Sequence, residues 1–151
     1  MKNNRIIVLL KSLNKREFNR FVLYVKSPFF NQSARLVKLI NYLASIYPDF
    51  PPKLISKEIL FKKLYGSKES FEDQKIHDQL SQLLKLFEGF LAQLQLKEQP
   101  EKAELQLLDA LKQRNLDKQF QRVYRRMEER LNRVDNKNPD FFLSHFHMLE
   151  R

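Results

Sequence analysis

The residues of this chain best suited to bind another molecule are cations in two groups. The first group surrounds the sequence SPFF at positions 27–30 and has almost no acidic residue near it; its members are Lys11, Lys15, Arg16, Arg20, Lys26, Arg35 and Lys38. The second group follows the spacing i, i+4, i+8 and i+11, which lines one side of a helix; its members are Arg122, Arg126, Arg130 and Arg133. Arginine and lysine bind phosphates and carboxylates, so both groups are candidate contacts for an anionic partner.

The two groups differ in how many acidic residues accompany them. Glu128, Glu129 and Asp135 dilute the positive charge around the second group. We therefore favour a surface stripe with ion pairs inside the helix for that group over a phosphate-binding face. The first group has almost none, because Glu17 is the one acidic residue in the segment that its members span.

Phe29 and Phe30 follow Pro28 directly, between two segments that are typical of helices. Because adjacent residues in a turn point in different directions, we expect one ring to be buried between the second and third helices. The other ring is then expected nearer the surface. An exposed ring in this basic neighbourhood would offer a stacking platform for a base or a contact for a protein partner.

Catalytic and cofactor sites find little support in the sequence. The only glycines are Gly66 and Gly89, so no glycine-rich phosphate loop can form. His145 and His147 diverge on a helix, and His77 beside Asp78 has poor spacing for a catalytic triad. The chain has no cysteine, which excludes disulfides and thiolate metal sites and is compatible with a cytoplasmic location. We predict a non-enzymatic protein without cofactor or metal.

The net charge of +10 is concentrated in the first part of the chain. Residues 1–68 contain 14 Lys or Arg and three acids, a net +11, whereas residues 69–151 contain 14 and 15, a net −1. Such asymmetry suggests that the first part meets an anionic partner, either nucleic acid or an anionic membrane surface. A solvated surface that only aids solubility is the alternative. No apolar run approaches the ~20 residues of a membrane span, so we predict none.

Apolar residues recur at helical spacing along the whole chain, and no stretch alternates with the period of a strand. Asn14 with Glu17 has the arrangement of a capping box, and Gly89 predicts a close helix–helix contact. We therefore predict an all-α protein with an N-terminal multi-helix bundle followed by an antiparallel helical pair. The predicted helices cover roughly residues 5–13, 15–26, 33–47, 56–66, 72–97, 100–114, 116–134 and 140–151.

The domain organisation follows from these segments. We predict a basic helical bundle over residues 1–97, and a helical hairpin with a final apolar helix over residues 98–151. The apolar side chains of that last helix need to be covered by a following helix, a second copy of the chain, or the sixth and seventh helices. These candidate partner contacts are Phe141, Phe142, Phe146 and Leu149.

Two stretches resemble known groups of proteins. The segment 101–142, with a small residue at Ala110, resembles one tetratricopeptide-like helical pair. The stretch LLKSLNKREFNRFVLYVKSPFFN resembles the start of a group of uncharacterised bacterial helical proteins that share a Ser-Pro-x-Phe-Asn turn, here at positions 27–31. This second resemblance extends over most of the chain. It implies a longer parent protein whose helical repeats continue past residue 151, and it implies no activity.

Three functional classes follow in order of support. The first is a non-enzymatic interaction scaffold that binds a protein partner or itself through the final helix. The second is a nucleic-acid-binding regulator that uses the basic N-terminal segment. The third is an enzyme whose site the sequence does not reveal.

Overall fold

Helices account for all regular structure in the part of the chain that the computed structural model describes, residues 4–133, 143 and 150. This confirms the predicted all-α class. The four predicted contact residues of the expected final helix, Phe141, Phe142, Phe146 and Leu149, lie outside the described residues. A short 3-10 helix spans Pro52–Leu54. The α-helices are α1 (Arg5–Ser12), α2 (Lys15–Lys26), α3 (Ala34–Ser45), α4 (Lys57–Tyr65), α5 (Asp73–Glu98), α6 (Pro100–Gln113) and α7 (Asp117–Arg133).

Short polar residues set the starts of the N-terminal helices. The predicted capping box of α2 is present: Glu17 N–H donates to Asn14 Oδ1 and Asn14 N–H donates to Glu17 Oε2, each over 2.9 Å. Ser33 caps α3 and Ser56 caps α4. Each serine uses its side-chain oxygen to accept one hydrogen bond from a backbone N–H in the first turn of the helix. These bonds satisfy backbone N–H groups that a helix start leaves free, which is why the sequence signals were readable.

The chain divides into two compact units, Met1–Leu91 and Ala92–Arg151, so the division falls within α5. Aromatic rings form much of the core of the first unit. Phe21 of α2 is fully buried and packs against Phe87 and Phe90 of α5, with ring centroids 5.4 and 5.3 Å away. The core therefore ties the second helix of the chain to the fifth.

Two aromatic residues of the proline-rich connection after α3 also pack in the first unit. Tyr47 stacks on Phe18 at 4.0 Å and donates a hydrogen bond to the Leu13 carbonyl over 3.2 Å. Phe50 is buried although its φ is +43°, a left-handed conformation that is unfavourable for a bulky residue. Burial of its ring edge-on against Phe18 and Tyr47 offsets that cost.

The buried face of α5 differs from the one that its apolar spacing predicts. The apolar spacing of the helix includes Leu80, Leu84 and Leu91 in that face, but Leu91 is exposed and the other two are only partly buried. Phe90 and the amide Gln79 are buried instead. Leucines at 3–4 spacing on two adjacent stripes leave the orientation of a helix open, and the aromatic contacts of Phe87 and Phe90 with Phe21 decide it.

In the second unit, α6 and α7 form a helical hairpin. Asn115 ends α6 with φ +55°, its N–H bonds to the Lys112 carbonyl, and Leu116 N–H bonds to the Leu111 carbonyl. This pattern is the Schellman motif, with asparagine at its left-handed position. The chain reverses there, and the two helices share a cluster of buried side chains made of Leu105, Leu108, Leu111, Val123, Met127 and Leu131.

No described helix is long and apolar enough to cross a membrane.

Candidate binding surface

The outward side of α2 carries cations around one exposed leucine. A helix turns by about 100° per residue, so the side chains opposite the buried Phe18, Phe21 and Val25 fall within an arc of about 140°. Leu23 lies near the middle of that arc and is 68% exposed. The cations of the arc are all exposed; they are Lys15, Arg16, Arg20 and Lys26.

No carboxylate reaches these four cations within the described part of the chain. The one acidic residue of α2, Glu17, turns back into its capping box. None of the four forms an ion pair with a described residue. The charge of this face is therefore available to a partner.

The turn that follows α2 is fixed by hydrogen bonds. The Ser27 carbonyl accepts from Phe30 N–H over 3.1 Å and from Asn31 N–H over 2.9 Å. Asn31 Nδ2 donates to the Val25 carbonyl at the end of α2 over 2.8 Å, and Asn31 Oδ1 accepts from Ser33 N–H over 3.0 Å. One asparagine side chain thus joins the last turn of α2 to the residue that caps α3.

The expectation that one ring of the Phe29–Phe30 pair is buried between α2 and α3 is wrong. Phe29 is 88% exposed and Phe30 is 37% exposed. Phe30 stacks on Tyr24 with centroids 4.1 Å apart, and Phe29 meets Phe30 edge-on at 4.9 Å. Phe30 rests on the side of α2 because Tyr24 offers a flat ring there, and Phe29 extends beyond it into solvent.

Tyr24 is itself supported from α5. Its ring meets Phe90 at 5.7 Å, and a Cβ atom at Gly89 would come within 2.7 Å of its hydroxyl oxygen. The close contact predicted at Gly89 is therefore present, and a side chain of α2 makes it. Partial burial raises the pKa of Tyr24 above its usual value, so the phenol is neutral at physiological pH.

The other members of the first predicted group lie on other helices. Arg35 of α3 places its guanidinium carbon 4.9 Å from the centre of the Tyr65 ring of α4, which directs it toward the α3–α4 side. Lys11 and Lys38 are exposed on α1 and α3. The α2 face thus contains four of the seven predicted cations, and Leu23 is the member that the sequence analysis missed.

The second predicted group is partly neutralised from a neighbouring helix. Glu104 of α6 is only 16% exposed and pairs with both Arg126, at 3.3 Å, and Arg130. We expected ion pairs with acidic residues of the same helix, but the carboxylate comes from α6. Arg122 and Arg133 are exposed and form no ion pair with a described residue.

A shallow depression of about 300 Å³ lies in the first unit, between the start of α1 and the side of α5. Its lining includes Arg5, Lys57 and His77 together with the apolar side chain of Leu80. Lys57 is paired with Asp73 over 2.6 Å. The Asn4 amide nitrogen is buried and has no hydrogen-bond partner among the described residues.

The described residues bring together no three His, Cys, Asp or Glu side chains that could hold a metal ion. His145 and His147 lie outside the described residues. No protein-family model matches this chain, and no significant similarity to a curated protein or a solved structure was found.

Proposed function

We propose that this protein is a non-enzymatic interaction protein whose first unit binds an anionic partner. The contact is the α2 surface, which we define as Lys15, Arg16, Arg20, Leu23, Lys26 and Phe29. The observation that supports the proposal is the combination of four cations without a carboxylate and two strongly exposed apolar side chains. Surfaces that only need solubility mix both signs of charge and expose few large apolar groups.

Nucleic acid binding is a second candidate for the same surface. It is favoured by the exposed Phe29 ring, because a ring beside cations can stack on a base while the cations contact phosphates. The final helix remains a further predicted contact for a protein partner or a second copy, and its four predicted contact residues lie outside the described residues.

The proposal predicts that binding of a polyanion depends on where charge is removed. A labelled polyglutamate is titrated with the native chain and with the Arg16→Gln, Arg20→Gln double variant. We expect the double variant to bind about tenfold more weakly at low salt, because two unpaired cations of the α2 surface are lost. The difference should shrink as salt is raised.

A matched control removes the same number of arginines elsewhere. The Arg122→Gln, Arg133→Gln variant has the same net charge as the α2 variant and should bind within about twofold of the native chain. Equal loss in both variants would show that only net charge matters, and the α2 surface would then have no special role.

A further inference from the structure

We infer that the partner of the α2 surface is an acidic, amphipathic segment of another protein, with carboxylates flanking apolar side chains. This inference rests on the proposed function and names the class of partner. It draws on the position of Leu23, on the support beneath Phe29 and on the spacing of the cations.

The exposed side chain of Leu23 favours a protein segment over a nucleic acid as the partner. It lies near the middle of the charged arc, and its side chain is 68% exposed. A phosphate backbone gains nothing from an aliphatic side chain, and leucine offers no ring on which a base can stack. An apolar side chain of a protein partner would remove Leu23 from water while carboxylates beside it meet Arg16 and Arg20.

Phe29 extends the apolar contact past the end of α2. It leans edge-on against Phe30, which stacks on Tyr24, and Tyr24 packs against Phe90 in the core region of α5. The ring is thus held by a series of aromatic contacts and does not depend on a partner for its position. A partner segment that extends past the end of α2 meets Phe29 with a further apolar residue.

The spacing along α2 fits a helical partner. Arg16, Arg20 and Leu23 follow i, i+4 and i+7, so they form one stripe that rises about 10 Å along the helix. A partner helix that lies alongside repeats its side chains over the same distance. Carboxylates and one apolar side chain at i, i+4 and i+7 would face this stripe in register.

The test compares two synthetic peptides of equal charge. The first carries Glu at most positions and Leu at i, i+3 and i+7, and the second has Ser in place of each Leu. We expect the leucine peptide to bind the native chain about fivefold more tightly than the serine peptide, as partial burial of one or two apolar side chains provides. Binding is followed by fluorescence anisotropy at two salt concentrations.

Two variants identify the surface. Leu23→Ser with Phe29→Ser should abolish the preference for the leucine peptide and leave the affinity for the serine peptide within about twofold. Arg16→Gln with Arg20→Gln should weaken both peptides. The Leu23 and Phe29 side chains are exposed, so thermal unfolding should confirm that these variants remain folded.

The outcomes distinguish the inference from the proposed function. Equal affinity for the two peptides, with loss of both in the arginine variant, would overturn the amphipathic partner and leave anion binding in place. If oligothymidylate or vesicles containing phosphatidylserine bind more tightly than the leucine peptide and displace it, the partner is nucleic acid or membrane. If no anionic probe distinguishes the arginine variant from the native chain, both proposals fail.

Discussion

The helices α2 and α7 are both rich in arginine and lysine, yet they expose their charge differently. On α2, the single acidic residue is used to cap the helix and four cations face solvent without a carboxylate. On α7, Arg126 and Arg130 both pair with Glu104 of α6. The number of cations on a helix therefore does not decide how many are available, because one carboxylate on a neighbouring helix can occupy two of them.

The geometry of the second unit explains this sharing. Arg126 and Arg130 are separated by one helical turn, so their guanidinium groups approach the same point on α6. Each of the two Glu104 oxygens forms an ion pair with a different arginine. Glu104 is mostly buried, which excludes much of the water that would otherwise weaken the pairs.

Replacing Glu104 should make α7 resemble α2, because its arginines would then lack a carboxylate partner on α6. Glu104→Gln removes the charge but keeps the shape, and it leaves Arg126 and Arg130 beside a neutral amide. We expect the free energy of unfolding to fall by roughly 2 kcal/mol, because a partly buried pair loses one partner. Denaturant titration measures this loss.

The control for that change is Glu128→Gln, which removes one acidic residue from the exposed side of α7. It should alter stability by less than about 0.5 kcal/mol. Similar losses in the two variants would mean that Glu104 contributes only through net charge.

Asn31 offers a second test, at the turn that positions Phe29. Asn31→Ala loses the bonds to the Val25 carbonyl and to Ser33 N–H, so we expect a loss of about 1–2 kcal/mol in unfolding free energy. The neighbouring Gln32→Ala is the control, because Gln32 is exposed and has no such role. Equal stability of the two variants would show that the turn is held by other contacts.

Replacing Gly89 should change the free energy of unfolding least, and the sign of the change should depend on the residue at position 24. In the native chain, Gly89→Ala places a methyl group 2.7 Å from the Tyr24 oxygen, and we expect a loss of about 1 kcal/mol. In the Tyr24→Phe background the nearest ring carbon is 3.7 Å away, so the same change should stabilise by about 0.5–1 kcal/mol through helix propensity. A loss of stability of equal size in both backgrounds would show that the added methyl group does not clash with the Tyr24 hydroxyl.

Local signals account for what the sequence predicted well. The capping box at Asn14 and Glu17 depends on residues three positions apart, and the stop at Gly66 depends on one left-handed residue. The start of α2 and the end of α4 follow from such signals. Each of these features is complete within a few residues, so no knowledge of the tertiary packing is needed to read it.

The features that the sequence could not show depend on distant residues. Glu104 and Arg130 are 26 positions apart, and nothing in the spacing of α7 points to α6 as the source of a carboxylate. Phe30 stacks on Tyr24, and that ring also packs against Phe90 of the distant helix α5. The exposure of Leu23 was readable from the sequence, because its position on the helical wheel is opposite the apolar Phe18, Phe21 and Val25. The same helical wheel also places Leu23 among the cations of α2.

The hydrogen bonds of Asn31 have a consequence for association. The backbone that presents Phe29 is already locked to the end of α2 and to Ser33 before any partner arrives. A preorganised surface loses little conformational entropy on association, so more of the contact free energy remains as affinity. Docking onto this turn would then resemble rigid-body recognition, in which the partner alone has to adopt its bound conformation.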